Sequence, residues 1–379
     1  MITSLELRCF KCFEKFERPI HFSQINVLTG SNGRGKSSIF QAILLLAQSF
    51  RSGKNINGLR LNGKNVKLGT FEDVMNRSSD SQCFSICFSS DDVDENVVSF
   101  VFAPDDKDPR NAVLSSLKVR YANQEEKELV NFVGGTDENI SNETSVPTAT
   151  SAIKAINQLR NVCFISADRQ GPQNYVIKED ECKNIVGIHG EYVVHAIKEK
   201  ESTILSQIIG AVSFIMGGAS ISVKDIDKEY IKILIDSMDG TRGYKPANVG
   251  FGYSYILPIV VLPIIVDEGA KLFIENPEAH LHPGAQSRLM DYLISIAKEK
   301  KLQLFIETHS DHVINAVRIA VKNQQYDLLK DDVAFIHVDR DKQKSQPVIW
   351  QIGVDSDGNL SDYPHDFLEE WGNQMSKLI

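Results

Sequence analysis

The chain has no run of about 18 uncharged apolar residues, the length that would carry a helix across a bilayer. Its opening, Met1-Ile2-Thr3-Ser4-Leu5-Glu6, lacks the basic-then-apolar order of a secretory leader. From these two absences a cytoplasmic protein without membrane association is expected. Basic residues are not in excess either. Lys and Arg number 41 against 50 Asp and Glu, a net charge of -9, which excludes a polycation that coats nucleic acid with its whole surface. Cysteines are few and scattered, at Cys9, Cys12, Cys83, Cys87, Cys163 and Cys182. Only Cys9 and Cys12 form a CxxC, and no second pair stands at zinc-ribbon distance, so buried thiols are expected. No heptad array is sustained and no repeat recurs, which excludes a long coiled coil.

What is present is concentrated in two places. Residues Gly30-Ser31-Asn32-Gly33-Arg34-Gly35-Lys36-Ser37 spell a complete GxxxxGKS phosphate loop. The apolar run Ile25 to Thr29 precedes it, and Ser38-Ile39-Phe40-Gln41-Ala42-Ile43 opens a helix pattern behind it. Glycines permit positive φ, so successive N–H groups can face one concavity and, with the helix N-terminus, cradle an anion. Lys36 can then reach the β- and γ-phosphates of a nucleoside triphosphate, and the Ser37 hydroxyl can ligate Mg²⁺. Asn32, Gly33, Gly35, Lys36, Ser37 and Ser38 are the nucleotide-binding candidates of this loop.

The second place lies far downstream. Lys271-Leu272-Phe273-Ile274 reads as a strand buried on both faces, and it ends in Glu275-Asn276-Pro277-Glu278-Ala279-His280-Leu281-His282-Pro283. A helix pattern follows, then the strand Leu302 to Glu307, ending in Thr308-His309-Ser310-Asp311. Strand, helix, strand implies a parallel sheet, with ligands beyond the strands' carboxyl ends. Glu275 is the second candidate Mg²⁺ ligand there. Glu278 and His309 join it as candidate catalytic groups, the histidine as donor to a γ-phosphate.

Between these places the signals are weaker. Cys83 to Phe88 and Val97 to Phe102 alternate as antiparallel strands, and residues 135–150 read as a polar loop. Val162 to Ser166 reads as a strand. Helical periodicity is read from about 187 to 235, as in Val193 to Ile197 and Ile204 to Ile209.

These motifs carry a family resemblance. The chain resembles ABC-type ATPases of the branch that includes the structural-maintenance-of-chromosomes (SMC) proteins, RecF and the overcoming-lysogenization-defect (OLD) family. Within it the ENPEAHLHP and ETHSDH blocks are similar to bacterial AAA-type ATPases with a short C-terminal domain of unknown function. The resemblance implies an α/β fold, an ABC-type P-loop NTPase head with a mixed or parallel central sheet, an antiparallel β subdomain and a helical insertion. It implies an N-terminal lobe over 1–180, a helical insertion or lid over 181–247, a C-terminal ATPase lobe over 248–330 and a C-terminal β-hairpin or tail domain over 331–379. Gly30 to Ser37 is then Walker A, Phe273-Ile274-Glu275 ends Walker B, and His309 is the switch histidine. Asn248 to Ser254 takes the signature position, with Gly250, Gly252 and Ser254 meeting a partner protomer's nucleotide in a head-to-head dimer or higher oligomer.

Two departures from the family pattern stand out. ABC-type ATPases place Asp then Glu at the end of Walker B, whereas this chain has Glu275-Asn276. Asn accepts no proton from water, so the base is Glu278 or another group, and slow hydrolysis is expected. The signature also lacks the LSGGQ lettering. The leading expectation is an ATPase that regulates a separately encoded effector, a nuclease or toxin, in bacterial defence against phage. The alternative is a RecF-like DNA-binding ATPase, with Arg51, Lys54, Arg60, Lys64 and Lys67 meeting duplex backbone. A transporter subunit is disfavoured by the missing LSGGQ. The Asp339/Asp341 pair resembles a nuclease DxD but too little chain follows it, and Asp355 to Asn359 reads as a hairpin turn rather than a calcium loop.

Overall fold

Alternating apolar residues in the first 120 positions give strands that bury one face. A computed structural model describes residues 1–50, 58–91, 97–120, 127–129, 153–179, 185–198, 200–236, 242–340, 346–364, 367–368 and 375–378. The 135–150 loop, Arg51, Lys54, Cys182 and Asp341 lie outside the described residues. The chain divides into two units, one of Met1–Val162, Ala334–Ile352 and Asp362–Ile379, the other of Cys163–Val333 and Gly353–Ser361. This division runs across the sequence lobes, because the first unit takes up residues from both ends of the chain.

In the first unit, β1 (Ile2–Phe10), β2 (Phe13–Lys15) and β3 (Ile20–His21) lead into β4 (Ile25–Thr29), which is buried throughout, as a central strand should be. Helix α1 (Lys36–Phe50) follows the phosphate loop and is buried on nearly every side, matching its unbroken apolar stretch. Then come β5 (Gly58–Leu59), the short α2 (Phe71–Val74), β6 (Phe84–Ser90), β7 (Val97–Pro104), β8 (Ala112–Arg120) and β9 (Lys127–Leu129). Strands β2, β1, β6, β7, β8 and β5 pair in that order as an antiparallel sheet, with β3 on β1 and β9 on β8. Its inner face is aromatic: Phe100 packs against Phe50 of α1 at 5.2 Å and stacks on Phe88 at 5.9 Å. Each such ring removes enough apolar surface from water to contribute about 2 kcal/mol.

The second unit begins at β10 (Val162–Ile165) and β11 (Val176–Ile177), followed by α3 (Val193–Lys198) and α4 (Ser202–Met216). Next are β12 (Ser220–Asp225) and β13 (Tyr230–Asp236), which pair with β11 in the antiparallel order β11-β13-β12. Helical periodicity therefore holds only over α3 and α4, and the expectation of helix through 235 is corrected. Ile231, Ile233 and Ile235 are buried between less buried neighbours, the period-two signature of a strand.

Helix α5 (Gly252–Ile265) contains Pro258 and Pro263, and Lys300 Nζ satisfies carbonyls at its end, reaching Pro263 O at 3.1 Å and Ile264 O at 2.8 Å. Then β14 (Lys271–Glu275), α6 (Pro283–Glu299), β15 (Gln303–Glu307) and α7 (Asp311–Lys322) complete the strand–helix–strand unit. β14 and β15 are parallel, with Glu275 opposite Glu307 and Phe273 stacked on Phe305 at 4.3 Å. The period read from the sequence is the one that forms. Back in the first unit, β16 (Val333–Arg340) neighbours β4 and pairs antiparallel with β17 (Pro347–Ile352). Asp355 to Asn359 forms the expected turn: Asp355 Oδ1 accepts from Asp357 N and Asn359 N, and Val354 bridges Leu360. No described helix is long and apolar enough to cross a membrane.

Candidate functional site

The phosphate loop lies between β4 and α1 in the first unit, and two of its glycines are required by geometry. A Cβ on Gly30 (φ +131°) would stand 2.0 Å from the Val338 carbonyl oxygen. On Gly35 (φ +107°) it would stand 2.7 Å from Cys12 Sγ and 2.9 Å from the Phe13 ring. Only glycine lets the loop run this close to the β16 backbone and the β1–β2 turn. Lys36 is buried and folds back, its Nζ donating to Gly30 O at 2.7 Å and Ser31 O at 3.1 Å. Those bonds hold the ammonium under the loop. Asn32 and Gly33 form its exposed crest, and Ser37 and Ser38 lie in the first turn of α1, which carries no acidic residue. A helix N-terminus with a buried cation and no acidic residue in its first turn suits an anion.

Two features of this cradle were not read from the sequence. Arg34 Nε approaches Asp339 Oδ1 of β16 at 4.0 Å, so the acid that resembled half of a nuclease DxD faces the phosphate loop instead. A cavity of ≈ 470 Å³ also opens beside Gly33 and Arg34, lined by Lys11, Cys12, Asn76 and Arg77 among others. Its walls are tied together: Lys11 N donates to Val74 O, Asn76 N to Cys9 O, and Asn76 Nδ2 to Lys11 O, all at 2.7–2.9 Å. Burial lowers the Lys11 pKa and raises that of the Cys12 thiol. Cys9 and Cys12 are free thiols in this turn, but half-buried rather than buried as expected, because the turn that carries them borders the open cavity. Residues 68–73 form a cap in which Asp73 Oδ2 accepts from Thr70 N and Oγ1, both at 2.8 Å.

In the second unit Glu275, Glu278 and His309 come together. The Glu275 carboxylate accepts from Ala167 N at 3.0 Å and Ser166 Oγ at 3.5 Å, and burial holds its pKa above the usual carboxylate range in spite of those bonds. Glu278 Oε1 accepts from the main-chain N–H of His309 at 2.9 Å, which joins the end of β14 to the end of β15. Its other oxygen, Oε2, is buried without a partner, and so is Asn276 Oδ1. Asn276 sits at φ +43°, a left-handed conformation that Asn tolerates better than most residues. Two orphaned acceptors two residues apart are the kind of group that a water or a bound ligand satisfies. Ser310 caps α7, its Oγ accepting from His312 N and Val313 N, which fixes the exit of the His309 turn.

Arg169, with no motif around it, was missed. It is 3% exposed, and its guanidinium donates to Ser166 O at 3.1 Å, Glu275 O at 2.7 Å and Asn276 O at 2.6 Å. Burial lowers its pKa to about 10, partly countered by Glu278, Tyr255 and Glu275, so it stays charged at neutral pH. The signature candidates split. Gly250 is exposed, whereas Gly252 is buried at the start of α5, where a Cβ would stand 2.8 Å from His280 O. Ser254 lines a cavity of only ≈ 40 Å³ with Gln170, Gly190 and Val194. The exposed corner is therefore Gly250 with Phe251 rather than the full triplet. Among the described residues no group of three or more His, Cys, Asp or Glu is placed to hold a metal.

A glycine-bounded phosphate loop behind a buried β-strand in the first unit, and a parallel strand pair ending in acids in the second, are elements of a P-loop ATPase fold. The chain belongs to the AAA ATPase domain family, whose model matches residues 1–212 and 194–314. It therefore binds and hydrolyses ATP at the level at which that family is defined. Residues 328–378 match a protein family of unknown function, DUF3696. The fold is similar to an SMC head solved bound to the C-winged helix domain of ScpA, at TM-score 0.54 and 15% identity, covering 93% of this chain and 97% of that one. An SMC head domain from Thermotoga maritima aligns at TM-score 0.44 and 14% identity, over 92% of this chain and 98% of that one. An SMC head with an extended coiled coil, from Pyrococcus furiosus, aligns at TM-score 0.48 and 13% identity, over 100% and 99%. No curated protein matches the chain.

Proposed function

We propose that this chain is a slow, nucleotide-gated ATPase that associates with itself when ATP is bound and regulates a separately encoded effector, a nuclease or toxin, in defence against phage. The observation that carries the slow cycle is the end of β14: an Asn where the ABC pattern has its base, beside a glutamate whose Oε2 is buried and unpartnered. Lys36 and the loop N–H groups bind the phosphates. Asn276 Oδ1 and Glu278 Oε2 orient the attacking water, Glu278 takes its proton, and His309 donates to the transferring phosphoryl. Ser37 and Glu275 are the Mg²⁺ ligands of this reading, and the ion would neutralise developing phosphate charge. The cradle suits phosphates, and the orphaned acceptors suit a water. The resemblance of the ENPEAHLHP and ETHSDH blocks, and the SMC-like fold, support self-association through Gly250 and its neighbours. They also support a protein partner, as the SMC head has in ScpA.

Lys36→Ala tests the reading. Light scattering of the wild type with ATP should show a nucleotide-dependent rise in mass that the variant lacks, and dimerisation of the variant with ATP bound would refute it. Three exposed cations, Arg60, Lys64 and Lys67, favour DNA binding as a second reading. ATP-dependent DNA binding that weakens steeply with salt would select it.

A further inference from the structure

We infer that Arg169 is a positioning residue: it holds the Glu275-Asn276 main chain in place for hydrolysis and ties that corner to the exposed start of α5 through Tyr255. This rests on the ATPase reading above. The corner is pinned from both sides. Arg169 donates through NH1 to Glu275 O and through NH2 to Asn276 O, while Asn276 N donates to Glu307 O at 2.7 Å. One planar fork thus fixes two successive carbonyls through two nitrogens held at a set angle, a rigidity that the rotatable ammonium of Lys lacks. The residue it holds is left-handed, and its side-chain oxygen is one of the two unpartnered acceptors.

The other face of the guanidinium meets α5. Its carbon lies 5.4 Å from the centre of the Tyr255 ring, within cation–π range. Tyr255 in turn meets the His280 ring edge-on at 4.4 Å, and Phe251 packs against His280 at 5.6 Å and Tyr255 at 6.4 Å. Phe251 is 54% exposed. An aromatic cluster therefore runs from a surface residue beside Gly250 to the buried cation that holds the acidic corner. Gly252 lets α5 start flush against the His280 carbonyl, which keeps the cluster closed.

A buried guanidinium with no carboxylate in hydrogen-bond contact and an unpartnered Nε costs stability. Simple packing would be served better by an apolar side chain. What only the guanidinium supplies is the geometry of the corner. A partner that presses on Phe251 then acts on the placement of Asn276 and Glu278.

The test is single-turnover hydrolysis per bound ATP, measured with ATP affinity, in Arg169→Met, Arg169→Lys, Tyr255→Leu and the Arg169→Met/Tyr255→Leu double variant. Displacement of the corner should lower the rate in Arg169→Met about 10- to 100-fold while ATP affinity stays within about twofold. Arg169→Lys should recover part of the rate. Tyr255→Leu should lower it less, and the double variant should match Arg169→Met, since both act through one contact. A wild-type rate per bound ATP in Arg169→Met overturns the inference, as do losses that multiply in the double variant. Should Arg169→Met not fold, an unchanged rate in folded Tyr255→Leu overturns it equally. A wild-type chain that binds ATP without hydrolysing it would defeat the ATPase reading itself, an outcome separate from these.

Discussion

The two ends of the proposed ATPase cycle are built differently. The phosphate loop is local: eight consecutive residues, closed by glycines, with Lys36 bound to carbonyls five and six residues before it. The acidic end of β14 is assembled from afar, since Ala167 and Arg169 precede Glu275 and Asn276 by 106 to 108 residues and His309 follows Glu278 by 31. Lys36 Nζ is satisfied by the loop's own carbonyls and the group there without a hydrogen bond is a donor, Arg34 Nε, whereas the acidic end keeps orphaned acceptors in Asn276 and Glu278.

Substitutions that break one end and spare the other sharpen this contrast. The largest effect is expected from Gly30→Ala, whose new methyl group collides with the Val338 carbonyl at a φ of +131°. It should destabilise the fold by about 3 kcal/mol and remove ATP binding, read by thermal denaturation and nucleotide titration. Next, Asn276→Ala deletes one water-orienting acceptor without touching the loop. Its hydrolysis rate should fall about tenfold with ATP affinity unchanged, since orientation rather than proton transfer is lost. The smallest effect should come from Glu275→Gln, and it is a gain in stability. Burial raises the Glu275 pKa, so its charged form is disfavoured in the fold, and stability is lost as pH rises through that raised value. Without nucleotide the variant should therefore melt higher than wild type at pH 7, and the difference should close under acid. A lower melting temperature at pH 7 would mean that the bonds from Ala167 and Ser166 outweigh burial.

The same contrast explains what was legible in the sequence. The phosphate loop, β4 and α1 were read directly, because their chemistry depends on neighbours in the chain. β14, α6 and β15 were legible from their apolar runs and the polar blocks that end them. Arg169 was not, because nothing in Ala167-Asp168-Arg169-Gln170 shows that the guanidinium reaches a strand end about a hundred residues later. The approach of Asp339 to Arg34 was hidden for the same reason. β12 and β13 were read as helix because the α3 and α4 periodicity was extended past Gly217, whose left-handed backbone ends α4. The switch to alternation at Ile231, Ile233 and Ile235 was the signal available there.

Glu278→Gln gives the most direct test of the proposed division between binding and hydrolysis, with ATP affinity measured by calorimetry and hydrolysis followed in a single turnover on the same sample. Affinity should match wild type while the rate falls about 100-fold, the loss expected for a general base. A variant that hydrolyses ATP at the wild-type rate would show that the acidic end of β14 does not set turnover.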